Sequence, residues 1–271
     1  MQAAQEGGLM DSNTRIISRL LTIREQGNEA FTATAGAPEI HIWTQGLPIM
    51  EEQLQTMDTA DSSALSSDEY KRLVRMKKTS RLVAHCWMVS RIFLRRVLAE
   101  YVQLHARDIH FQYGTAGKPY LPGGPQFSLS HTKGLCMLAV TSTNNELGVD
   151  VEWMRPLVRE QAVVQRFLTE EEQDYLLEGL RSGDDTSILL WKVLTGKEAW
   201  IKASGQSLCG QWRKLNTVQV MRNHGQLLEW AGQNYVMQSL NIGKGYSASL
   251  CMAGAERVTV RWMNTTENEI Y

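Results

Sequence analysis

Hydrophobic positions recur along this chain with two different periods, and the period separates strands from helices. Ile40-His41-Ile42-Trp43 alternates and predicts a first strand. Leu135 to Thr141 is a continuous apolar, β-prone run, while Leu147, Val149, Val151 and Trp153 share one face of an alternating segment. Both predict strands, with a hairpin turn at Asn144-Asn145 between them. Alternating segments at Thr217 to Met221, Tyr246 to Met252 and Val258 to Trp262 predict further strands. Helical spacing governs Leu82, Cys86, Val89, Phe93 and Val97, one stripe of a single long helix in the region from Tyr70 to Arg96. Thr169 and Glu172 have capping-box spacing, so a helix starts there and runs to about Leu180, where Ser182-Gly183-Asp184-Asp185 breaks it. A second helix is predicted from about Thr186 to Ser204, stopped by Gly205. Ile16, Ile17, Leu20, Leu21 and Ile23 suit a short amphipathic helix near the N-terminus, and Gly114 to Gly124 is a turn-rich joint. The elements together predict an α+β fold, with an accessory arm (1–37), an N-terminal half (38–125) and a C-terminal half (126–271).

Composition narrows the function classes. The chain has 271 residues and a net charge of −1, so no global charge favours a nucleic-acid partner. No apolar run approaches the length of a membrane-spanning helix, and no basic stretch followed by an apolar core marks a secretory signal near the start. Cys86, Cys136, Cys209 and Cys251 lie far apart among apolar neighbours. That spacing argues against a zinc site or a dense disulfide framework and fits buried free thiols in a reducing, cytoplasmic setting.

The candidate chemistry is acidic. Asp150 and Glu152 project from one strand face, while Val149 and Val151 point the other way. Two such carboxylates repel unless a cation or a base lies between them. Magnesium takes oxygen ligands, often one or two carboxylates completed by phosphate and water. A bare D-x-E is, however, more often only the wet face of a half-exposed strand. Glu198 follows Leu190 and Leu194 on one helical stripe, so its carboxylate sits at the end of an apolar face, with Lys202 one turn on and close enough to pair with it. A surface Glu–Lys pair has the same spacing. Ser130-His131 has the residue types of a nucleophile and base, but neighbours in an extended segment point to opposite faces and no G-x-S-x-G elbow surrounds the serine; a serine hydrolase is excluded. No P-loop or dinucleotide fingerprint is present. Nine lysines and arginines with no acid fill Tyr70 to Arg96, which is either a solvated helix face or an anion site.

Phe127-Ser128-Leu129-Ser130-His131, Leu147-Gly148-Val149-Asp150-Val151-Glu152, and Trp191 with Lys197-Glu198-Ala199-Trp200-Ile201-Lys202-Ala203-Ser204-Gly205 resemble, in order and separation, the successive signatures of 4′-phosphopantetheinyl transferases. Gly117-Lys118-Pro119-Tyr120 resembles a further family segment, and Ser90-Arg91 through Arg95-Arg96-Val97-Leu98 is similar to a helix of the larger, surfactin-synthetase-associated (Sfp-type) monomeric group. The resemblance covers roughly residues 39 to 260. It implies two similar α/β halves related by a pseudo-twofold axis, with the active site between them. It also implies a reaction in which coenzyme A gives its phosphopantetheine arm to a serine of an apo acyl or peptidyl carrier protein, with release of 3′,5′-ADP. Carriers of polyketide, nonribosomal peptide or fatty acid synthesis would all qualify. By the same resemblance Asp150, Glu152 and Glu198 hold magnesium. Glu198 also serves as base and Lys202 steadies charge on the pyrophosphate. Ser130, His131 and Lys118 meet coenzyme A, joined by Lys78 and Arg81 from the basic run. The sequence departs from the family in having Leu194 where a tryptophan is common and Gly196 inside a helical stretch. A non-catalytic relative that only binds carrier proteins or coenzyme A is the alternative; retention of all three acids and Lys202 speaks against it.

Overall fold

The computed structural model describes residues 36–55, 62–205, 212–223 and 226–263. The N-terminal helix expected at 16–23 and Cys209 lie outside these residues. The fold is mixed α+β, and its frame is two four-stranded sheets. The first contains β1 (Glu39–Gly46), β4 (Gln126–Thr132), β5 (Leu135–Thr141) and β10 (Thr259–Trp262), in the order β10-β1-β5-β4. The second contains β6 (Leu147–Trp153), β7 (Gln226–Trp230), β8 (Gln233–Leu240) and β9 (Tyr246–Ala253), in the order β6-β9-β8-β7. A short hairpin of β2 (Gln112–Tyr113) and β3 (Pro119–Tyr120) occupies the predicted joint.

Six helices flank the sheets among the described residues: α1 (Ser67–Lys77), α2 (Arg81–Val102), α3 (Glu160–Phe167), α4 (Glu170–Ser182), α5 (Thr186–Ser204) and α6 (Val218–Asn223). Burial arranges them in layers. Cys136, Leu138 and Val140 of β5 face α2 and pack with Phe93, Leu94 and Val97. Leu135, Met137 and Ala139 point the other way and meet Val149 and Val151 of β6 and Leu250 of β9. That two-sided burial explains why β5 reads as a continuous apolar run rather than an alternating one. On the far face of the second sheet, Val193, Trp200 and Ala203 of α5 close on Met237 and Cys251. Cys136 and Cys251 are buried free thiols, and Cys86 is half-buried. No helix among the described residues is long and apolar enough to cross a membrane.

Three local expectations are corrected. The helix expected through Tyr70 to Arg96 is two helices, because Ser80 adopts an extended conformation and its hydroxyl accepts the Val83 N–H to cap α2 (3.3 Å). The apolar stripe from Leu82 to Val97 lies wholly on α2. Helix α1 has its own capping box from Ser66 and Glu69. Glu69 also takes the Arg91 Nε (2.8 Å) and the Arg95 Nε (2.6 Å), so two of the nine basic residues are spent pinning one helix to the other. The Asn144-Asn145 turn does not close a hairpin. It carries the chain from β5 in the first sheet to β6 in the second, and the Asn145 side chain donates to the Ala253 carbonyl (2.8 Å). Residues 218–221, expected in a strand, open α6, where Val218, Val220 and Met221 are buried. The turn before it is set by Asn216, whose side chain accepts the Val218 N–H, and by Glu172, which accepts the Thr217 N–H and hydroxyl. Strands β7 and β8 and helix α3 had no clear pattern in the sequence.

Candidate active site

Strand period places Gly148, Asp150 and Glu152 on the face of β6 that α5 covers. The helix lies almost on the strand backbone: a Cβ at Gly148 would sit 1.9 Å from the Ala199 carbonyl oxygen and 2.6 Å from the Ala203 nitrogen. Only glycine permits that approach. It carries Glu198 and Lys202, one turn apart on α5, to the two strand acids. Gly148→Ala must push the helix away; overpacking of this kind costs about 1–3 kcal/mol. Urea unfolding should show that loss.

One carboxylate oxygen each from Asp150, Glu152 and Glu198 falls within 4.8 Å of the others. Lys202 does not pair with Glu198, as helical spacing allowed. Its ammonium instead reaches across to Asp150 Oδ1 (2.8 Å), Ser130 Oγ (2.9 Å) and the Val149 carbonyl (3.1 Å), using three donors on three acceptors. Glu152 accepts the Thr132 hydroxyl (3.0 Å). Asp150 is 1% exposed, yet its Oδ2 has no hydrogen-bond partner. A buried carboxylate oxygen without a donor is costly unless a cation answers it. Three carboxylates with no nitrogen or sulfur among them suit a hard, oxygen-seeking ion such as magnesium.

The acids also feel one another. Burial, then the Asp150 charge, pushes Glu198 up to about 7. The same two causes raise Glu152 above the ordinary carboxylate range. In the metal-free protein both groups therefore hold protons at pH values where the unfolded chain has released them. Stability from these groups is fully present below the unfolded value of 4.5 and is lost as pH rises through about 7. We expect the metal-free protein to lose melting temperature from about pH 5 to about pH 8, and Glu198→Gln to lose less. Magnesium should raise the wild-type melting temperature more at the higher pH, because binding must displace these protons. A magnesium shift independent of pH would contradict this assignment.

Of the three acids, Glu198 lines a cleft of about 1270 Å³, together with Lys202, Arg72, Arg75, Lys118 and His131. His131 is exposed on the opposite face of β4 from Ser130. Partial desolvation, and then the Lys202 ammonium, lower its pKa. Ser130 is buried and directed at Asp150 (2.7 Å). Lys118 bonds Glu146 (2.8 Å) and the Leu147 carbonyl (2.9 Å). Lys78 and Arg81 are exposed at the break between α1 and α2 and are not among the residues lining the cleft; Arg72 and Arg75, one to two turns earlier, are. The sequence reading does not mark Gly148 or Thr132 as site-building residues, although Ser130 and Thr132 stand at strand period.

The fold and cleft thus define a protein with an oxygen-only acidic centre at the mouth of a basic groove. Residues 146–251, which include all three acids and Lys202, match the 4′-phosphopantetheinyl transferase superfamily. The chain is 32% identical over 178 residues to the 4′-phosphopantetheinyl transferase HetI of a Nostoc species, an alignment covering 63% of this chain and 70% of that protein. It is 30% identical over 127 residues to the transferase ffp of Bacillus subtilis, covering 46% and 54%. It is 22% identical over 194 residues to the transferase gsp of Aneurinibacillus migulanus, covering 70% and 77%. The chain belongs to the 4′-phosphopantetheinyl transferase superfamily.

Proposed function

We propose that this protein moves the 4′-phosphopantetheine group from coenzyme A to a serine hydroxyl of an apo acyl or peptidyl carrier protein, with magnesium held by Asp150, Glu152 and Glu198. The observation that carries the reading is the buried, unpartnered Asp150 Oδ2 at the meeting point of three carboxylates. A scaffold that merely bound carriers would have no use for that arrangement. Magnesium, when bound, neutralises pyrophosphate charge and polarises the phosphoryl oxygens.

The chain's own residues supply positioning and proton transfer. Glu198, which lines the cleft, would take the proton of the carrier serine as its oxygen forms the new bond to phosphorus. The bond that breaks is the one to 3′,5′-ADP, which leaves. The Lys202 ammonium, fixed by three acceptors, offers positive charge at the edge of the site. His131, Lys118, Arg72 and Arg75 line the groove where the phosphates of coenzyme A would lie. We place the enzyme in the cytoplasm as a monomer, serving carriers of polyketide, nonribosomal peptide or fatty acid synthesis.

The test is an incubation with an apo carrier, coenzyme A and magnesium, followed by intact-mass measurement of the carrier. A gain of one phosphopantetheine arm is expected, lost on chelation of the metal. No gain with carriers of all three kinds would overturn the proposal.

A further inference from the structure

The edge of β6 that faces away from β9 is sealed by side chains rather than by another strand. In an antiparallel pair, alternate residues turn both their N–H and their C=O toward the partner, so the residues between turn theirs outward. On β6 the outward residues include Val149, Val151 and Trp153, and their amides are taken by hydroxyls of β4: Val149 N–H by Ser128 (3.0 Å), Val151 N–H by Ser130 (3.4 Å) and Trp153 N–H by Thr132 (3.0 Å). The three hydroxyls stand at i, i+2 and i+4, on the β4 face opposite His131. The outward carbonyls of Leu147 and Val149 are taken by Lys118 and Lys202.

A hydroxyl that accepts an amide proton still has its own proton to give. Ser130 gives it to Asp150 Oδ1 (2.7 Å), and Thr132 gives it to Glu152 Oε2 (3.0 Å). In both cases the carboxylate belongs to the residue just before the amide that the hydroxyl holds. That relation cannot arise at Ser128, because the residue before Val149 is Gly148, which has no side chain. The same ladder therefore contains two rungs that touch an acid and one that cannot.

We infer that Ser130 and Thr132 are positioning residues for the metal centre: each ties one strand carboxylate to the seam between the two sheets, so that the carboxylate orientation is set by sheet docking. This rests on the metal-binding reading above. Ser130 serves Asp150 and Lys202 through these bonds.

Thr132→Val keeps shape but removes both the acceptor and the donor; Thr132→Ser keeps both. Ser128→Ala breaks a seam bond without touching an acid. The probe is Mn²⁺, titrated into metal-free protein with coenzyme A present and followed by loss of the free-ion electron paramagnetic resonance signal, alongside melting curves without metal. Loss of a group that orients a metal ligand weakens binding roughly 10- to 100-fold. Thr132→Val and Ser130→Ala should weaken Mn²⁺ by that factor, Thr132→Ser should bind as wild type does, and Ser128→Ala should melt lower with wild-type affinity. Wild-type affinity in both Thr132→Val and Ser130→Ala overturns the inference. So does equal weakening by Ser128→Ala, which would mean that any damage to the seam suffices. A wild-type protein that binds no Mn²⁺ would instead remove the metal centre itself, and the inference with it.

Discussion

Asp150→Ala reduces phosphopantetheine transfer at least about 100-fold, the scale on which removing one group that stabilises developing charge acts. Asp150 is the centre of the acidic cluster. It accepts Lys202 and Ser130 through one oxygen and leaves the other without a partner, open to the proposed cation. Without it the proposed metal would lose one of its three protein ligands, and Lys202 would keep only Ser130 and the Val149 carbonyl. Two further readouts separate loss of the site from loss of the fold. The far-ultraviolet circular dichroism should be unchanged, because an ion pair is lost while repulsion of Glu152 and Glu198 is relieved. The Glu198 carboxyl should titrate lower than in the wild type, since the Asp150 charge is the second cause of its upward shift. Carbon-detected nuclear magnetic resonance of the side-chain carboxyls measures this directly. Magnesium should raise the melting temperature of the wild type and not of the variant, because a ligand stabilises only the form that binds it. Undiminished transfer by Asp150→Ala would mean that the metal lies elsewhere.

What the sequence made legible was local. The bounds of β5, β6 and α5 follow from apolar runs, strand period and the Gly205 stop, all set by neighbours within a few residues. The capping box at Thr169 marked the start of α4 for the same reason. Period two also placed Ser130 and His131 on opposite faces, which holds. Strand partners were not legible. Two adjacent strands with a polar turn between them read as a hairpin, but β5 and β6 belong to different sheets, because pairing is decided by burial over long separations. Facing within the basic run was not legible either: Arg72 and Arg75 line the cleft, and Lys78 and Arg81 do not. The acids themselves could be named from the resemblance. Their support by Thr132 and by the closeness of α5 at Gly148 is tertiary, and the hydroxyls carried no signal beyond ordinary strand residues.

Lys197→Met lowers stability by about 3–5 kcal/mol, although Lys197 adjoins Glu198 and touches nothing in the cleft. On a helix, neighbours lie about 100° apart, so the Lys-Glu pair divides its work: Glu198 faces the strand acids and Lys197 faces the core. Both Lys197 and Glu172 are fully buried, with Nζ 2.7 Å from Glu172 Oε2. The same ammonium donates to the Trp212 and Leu215 carbonyls, tying the turn before α6 to α5. Burial pushes the lysine pKa down and the Glu172 carboxylate opposes that push. The pair persists because every remaining bond is made: Glu172 also accepts the Thr169 N–H (2.8 Å) and the Thr217 N–H (2.9 Å) and hydroxyl (2.8 Å). Methionine fills the volume of the lysine but strands a buried carboxylate and two carbonyls, and it is the stranded charge that dominates the cost. Adding Glu172→Gln removes that charge, so the double variant should be more stable than Lys197→Met alone, as urea unfolding would read. A single variant within 1 kcal/mol of the wild type, by the roughly 1 kcal/mol typical of a neutral hydrogen bond, would mean that the carboxylate finds another partner or a proton at little cost. Equal loss in the single and double variants would place the energy in the two carbonyl bonds to the turn, and not in the ion pair.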